Sequence, residues 1–158
     1  MDPVLLHLRV NHFPVCLAVL GVAAAVVAAI LRKDAIWRYA QITVLVAAAA
    51  APVAQWTGDR AEAVVGAADD IDPGIQDRMY VHEDSATIAL WCMLAAGAAA
   101  AVSLWKPHPA ARWAFLAVSL VGTGAVGYTS KQGGEILHSV PLNKMTIEET
   151  ESPEPAEK

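Results

Sequence analysis

The chain has 158 residues, of which 56% are hydrophobic and 17% charged, with mean hydropathy +0.41 and formal net charge −5. That composition belongs to integral membrane proteins rather than soluble domains, and its acidic balance removes the electrostatic basis for nucleic-acid binding. The two cysteines, Cys16 and Cys92, lie inside apolar runs, which argues against a disulfide framework and against a reactive thiolate.

Taken in chain order, Asp2-Pro3 is a helix start, an N-cap residue followed by proline at the first helical position. The first apolar run, 13–31, carries no charge and is closed by Arg32, Lys33 and Asp34. It lacks a basic region before it and three further runs follow, so it reads as a retained helix rather than a signal peptide. The second run, 36–56, has Arg38 near its start and Trp56 at its end. Thr57-Gly58 marks where it leaves the membrane. The connection 59–85 continues in helix formers, turns at Asp72-Pro73-Gly74 and reads as helix again from Ile75, which predicts a short helical cap beyond the bilayer. The third run, 86–105, stops at Lys106 and Pro107, and the shorter fourth, 113–129, lies between Arg112 and Lys131. Gly122, Gly124 and Gly127 read first as packing positions, and Gly133-Gly134 as a helix end or change of direction before His138. About twenty apolar residues cross a hydrocarbon core of about 30 Å, so each run is able to span. The tail 141–158, with Glu148, Glu149, Glu151, Glu154 and Glu157 among prolines and threonines, is compositionally disordered. The expected architecture is all-α: a four-helix transmembrane bundle over 1–140 with up-down topology, followed by an acidic tail.

Charge orients it. Arg32, Lys33 and Arg38 lie between the first two spans, and Lys106 and Arg112 between the last two, whereas 59–85 is rich in aspartate and glutamate. The positive-inside rule then puts the basic loops in the cytoplasm and both termini outside, most simply in a bacterial periplasm. Four of the five histidines fall on that outer side: His7 and His12 before the first span, His82 before the third and His138 after the fourth, with His108 alone in a cytoplasmic loop. Any one of them reads as an interfacial anchor, but four at one end of a bundle read as a shared binding role, because polar groups near a bilayer face the bundle interior or a watery cavity.

The motifs around these histidines resemble a known family. Leu6-His7-Leu8-Arg9-Val10-Asn11-His12-Phe13-Pro14, Thr57-Gly58-Asp59-Arg60-Ala61-Glu62, His82-Glu83 followed by Ser85-Ala86, and Gly133-Gly134-Glu135-Ile136-Leu137-His138 are similar, in order, to the markers of the DUF2231 family of small four-helix membrane proteins. The resemblance covers roughly 5–140 and implies the fold and topology above. It departs where the family often has proline directly after its first histidine, because Leu8 stands there, which weakens the equivalence of His7 more than that of His12.

Haem b is the first candidate cofactor, because imidazoles from facing helices of a bundle commonly supply both axial ligands of haem iron. On a regular helix His7 and His12 point about 140° apart, so they do not form one ligand pair. The favoured axial pair is therefore His12 with His82, and His7 with His138 is a second arrangement for a second haem. Arg9 and Lys131 lie near the same face as candidate partners of haem propionates. A copper or zinc site from His12, His82, His138 and Glu83 is the alternative, although the ligands form no compact metal motif. A proton relay through the histidines and Glu83 lacks a path, since the cytoplasmic halves of the helices hold almost no ionisable group. No nucleophile-and-base constellation suggests hydrolysis. The function expected is a haem-b electron-transfer subunit with a redox partner, a basic c-type cytochrome suiting the acidic outer face. Its alternative is an accessory subunit of a respiratory membrane complex that binds no cofactor.

Overall fold

The computed structural model of the chain describes residues 2–66 and 72–139. They fold into α1 (Pro3–Val10), α2 (His12–Leu31), α3 (Asp34–Gly66), α4 (Pro73–Trp105) and α5 (Pro109–Ser139), with no strand among the described residues. Helices α1 and α2 follow one another as one span, Pro3–Leu31. The four resulting rods are each long and apolar enough to cross a membrane.

Local chemistry explains the boundaries. The Asp2 carboxylate accepts from the Val4 N–H at 2.8 Å ahead of Pro3, and the Asp72 carboxylate accepts from the Gly74 N–H at 2.7 Å ahead of Pro73. Asp72-Pro73-Gly74 is thus the first turn of α4 itself. The break between α1 and α2 falls at Asn11, whose backbone stays helical at φ −63° and ψ −27°. Pro14 accounts for it: without an N–H, proline leaves the carbonyl of Val10 without its helical partner. Arg32, at φ 53°, closes α2 in the left-handed region.

One expectation is corrected. Gly133-Gly134 does not end a helix, because α5 runs through both to Ser139. A Cβ on Gly133 would stand 3.1 Å from the Cε1 of His82, so this glycine serves close approach rather than termination. The projecting cap is seen in its flanks, with α3 continuing to Gly66 and α4 starting at Pro73. Its tip at 67–71 and the acidic tail at 141–158 lie outside the described residues.

Small side chains build the interior. Ala25, Ala28, Ala40, Ala96 and Ala100 are fully buried, joined by Trp37 and Phe115 in an edge-on contact with ring centroids 6.3 Å apart. The helices meet nearly backbone to backbone. A Cβ on Gly21 would lie 2.5 Å from Val44 Cγ2, and one on Gly97 the same distance from Ala48 Cβ. Large apolar side chains point outward instead, with Ile30 72% and Trp91 67% exposed. In water such a surface would aggregate, whereas in a bilayer it is the lipid-facing belt, and small residues at the interfaces supply the dispersion contacts that hold helices together there.

Polar contacts tie the ends. At one end, Gln41 of α3 donates to Ser103 of α4 at 2.6 Å in a fully buried bond, and Arg112 of α5 pairs with Asp34 of α3 at 2.8 Å while lying over the Trp37 ring. At the other end, His7 of α1 meets Thr57 of α3, and His82 and Ser85 of α4 meet Thr129 of α5.

Candidate functional site: a pair of half-buried imidazoles

The second of these ends collects the histidines. His7 is half-buried on α1, and its Nδ1 lies 3.2 Å from Thr57 Oγ1. His82 is half-buried on α4, and its Nδ1 lies 3.4 Å from Thr129 Oγ1. Each ring also rests on a glycine of the helix it meets, because a Cβ at Gly58 or at Gly133 would come to 3.1 Å from the Cε1 of His7 or His82. His7 feels the charges of His82, Asp59 and His12.

The other predicted residues stand further out. His12 is exposed, with Nδ1 bound to the Leu8 carbonyl at 2.8 Å one turn back. His138 is exposed in the last turn of α5 and is not among the charges acting on His7 or His82. Arg9 is exposed, and Lys131 forms a solvent-facing ion pair with Glu135 at 3.6 Å. His108 caps the start of α5 at the opposite end, where its Nδ1 accepts from the Ala110 N–H at 3.2 Å. Asn11, between the two helices, keeps helical φ and ψ, and its N–H bonds the His7 carbonyl at 2.9 Å.

Sequence reasoning missed Thr129, Ser85 and Gln132. Ser85 sits 2.9 Å from Thr129 Oγ1, hydrogen-bonds Gln132 Oε1, and donates to the His82 carbonyl at 2.8 Å. A signal was present: positions 129, 132 and 133 fall on one helical face at i, i+3 and i+4, and 82 and 85 are likewise one turn apart. Beside the pair, Asp59, Glu62, Ala63, Gly66 and Glu83 line an open cleft of about 550 Å³ on the projecting parts of α3 and α4. Desolvation and the neighbouring Glu83 carboxylate push the Glu62 carboxyl above its ordinary range.

The donor set bears on what this end is able to hold. No group of three or more His, Cys, Asp or Glu side chains among the described residues is gathered for a metal ion. A bare zinc or copper ion draws three or four ligands from the protein, whereas haem iron takes four from its porphyrin and needs only an axial pair. The two imidazoles, one on α1 and one on α4, meet that count of ligands. The middle of the bundle does not offer space for a porphyrin, because Gly21 and Gly97 are closed against Val44 and Ala48. Gly122 is likewise closed against Cys92 and Met93, and Gly124 and Gly127 face open space, so none of the five glycines lines an internal slot. Comparison of the chain with protein-family models, with curated proteins and with solved structures finds no match.

Proposed function

We propose that this chain is a membrane electron-transfer subunit that holds haem b at the histidine end of its bundle, with His7 and His82 as the axial pair. The observation that carries the reading is the matched placement of these two imidazoles, each half-buried and each with Nδ1 against a threonine hydroxyl of the neighbouring helix. When bound, haem supplies a one-electron carrier. The chain's own residues orient the two rings, and the alanine-packed interior excludes water and ions from the rest of the bundle. His12 and His138 are then rim residues of the same end rather than ligands, and the two-imidazole set disfavours the copper or zinc alternative.

In this reading the chain sits in a bacterial inner membrane with the histidine end and both termini on the periplasmic side, as its basic loops imply. The acidic side chains of the projecting α3 and α4, among them Asp59, Glu62, Asp77, Glu83 and Asp84, suit a basic redox partner such as a c-type cytochrome. The motif resemblance to the DUF2231 family is consistent with this bundle.

The test is a visible spectrum of detergent-purified protein from a haem-replete bacterial host, oxidised and then reduced with dithionite. The expected result is a Soret band with a sharp reduced α band, lost in His7→Ala and in His82→Ala and kept in His108→Ala. Absence of both bands from the unaltered protein would sink the proposal and leave the accessory-subunit reading. Loss of the bands in His12→Ala with retention in His7→Ala would return the axial pair to His12 and His82.

A further inference from the structure

We infer that Thr57 and Thr129 are positioning residues that hold His7 and His82 as Nδ1–H tautomers, so that both rings present the bare Nε2 lone pair. A neutral imidazole carries its hydrogen on one nitrogen or the other, and only the bare nitrogen is able to bind a metal. Hydrogen counting at the two threonines decides which it is.

Thr57 has a single hydroxyl hydrogen, and it is committed: the hydroxyl donates to the Ala54 carbonyl at 2.9 Å within α3. Threonine in a helix commonly bonds back in this way. The oxygen is then left to accept, so the His7 Nδ1 at 3.2 Å must be the donor.

The second half of the molecule repeats the arrangement with different residues. The hydroxyls of Ser85 and Thr129 have two hydrogens between them. Both are drawn to oxygens: Ser85 donates to the His82 carbonyl or to Gln132 Oε1, and Thr129 donates to the same carbonyl or to Ser85 Oγ. With Ser85 donating to Gln132 Oε1 and Thr129 to the closer Ser85 Oγ at 2.9 Å, Thr129 Oγ1 is left to accept from His82 Nδ1 at 3.4 Å. Neither Nε2 has a side-chain partner among the described residues.

The threonines lie 50 and 47 positions after their histidines, one arrangement in each half of the chain. Gly58 follows Thr57 directly, and Gly133 lies one turn beyond Thr129, each bringing its helix against the Cε1 edge of the ring. Ligating histidines ordinarily donate their second N–H to an acceptor behind them, which fixes the ring and raises its basicity. Here that acceptor is in place on both rings. The tautomer assignment rests on hydrogen bonds alone, while its use as an axial pair rests on the haem reading above.

The experiment uses full-length protein in detergent micelles, without cofactor, labelled with nitrogen-15 in its histidines and observed at mildly alkaline pH. Proton–nitrogen correlation spectra separate the two tautomers of each ring. The expected result is the Nδ1–H form for His7 and His82. Thr57→Val should move His7 alone toward the Nε2–H form that free imidazole side chains favour, and Thr129→Val should move His82 alone. Serine at either position should restore the original signal, which a merely structural threonine would not predict. In a haem titration of the same variants, each valine should weaken binding by roughly 10- to 100-fold, the usual cost of losing such a partner. An Nε2–H signal for either ring in the unaltered protein overturns the inference, as does a valine variant that leaves its histidine unmoved. Should a valine variant fail to fold, the spectrum of the unaltered protein decides alone. Nδ1–H tautomers in a protein that takes up no haem would overturn the proposed function and leave the tautomer assignment standing.

Discussion

Gly97 and Gly133 both bring helices of this bundle into close approach, but they lie against different things. Gly97 is pressed on the Cβ of Ala48 in the fully buried middle, and Gly133 is pressed on the imidazole edge of His82 near the end. Ala48 is a backbone-fixed methyl with nowhere to go, whereas His82 is a side chain with its own rotation. The middle therefore acts as rigid spacing, and the histidine end as a set of seats in which a ring is held but able to shift. The fully buried contacts are concentrated in the first region and the half-buried imidazoles in the second.

The sharpest way to break this contrast is Gly97→Val. A Cβ there has only 2.5 Å to Ala48, and overpacking of this kind costs about 1–3 kcal/mol or more. Thermal or denaturant unfolding in mild detergent should show the loss, and an unchanged midpoint would mean that the helices are not in contact there. Gly133→Ala and Gly58→Ala should behave in the opposite manner. Alanine's better helix propensity, about 1 kcal/mol, offsets the crowding of the ring, so unfolding should stay within about 1 kcal/mol of the original. Haem affinity should nonetheless fall, as read by absorption titration, because the imidazole must give way by a few tenths of an ångström.

A smaller effect comes from the buried amide. Gln41→Leu strands the Ser103 hydroxyl and should cost about 1 kcal/mol, and Ser103→Ala on that background should recover part of the loss. Non-recovery would show that Gln41 acts through packing alone. The smallest change is expected from His108→Ala. It removes a side-chain acceptor from an exposed helix start, costs about 0.5 kcal/mol, and leaves the histidine end spectroscopically unaltered.

Much of this was legible along the chain, and particular residues show why. Asp2-Pro3 starts a helix wherever it is placed, because the cap bond is local, and the Val4 N–H is indeed held by Asp2. The apolar runs announce spans through length and composition alone. Gly133-Gly134 misled for an equally physical reason. A glycine pair has the same appearance whether it ends a helix or makes room for a neighbour, and only the presence of His82 on α4 distinguishes the two. The burial of the histidines was not legible in this way. Motif spacing favoured His12, whereas contact with Thr57 on α3 leaves His7 half-buried and His12 exposed.

By itself, then, the sequence determined an all-helical chain with four apolar runs, the local caps that start them, and the end of the bundle at which His7, His12, His82 and His138 collect. Each of these follows from short-range patterning or from alternation of direction between successive runs. Tertiary structure alone decided which histidines are held between helices, which hydroxyls and glycines hold them, and that the middle is closed by Gly21 and Gly97. Those facts depend on contacts between residues about fifty positions apart, such as His7 with Thr57 and His82 with Thr129, and no local pattern encodes such a meeting.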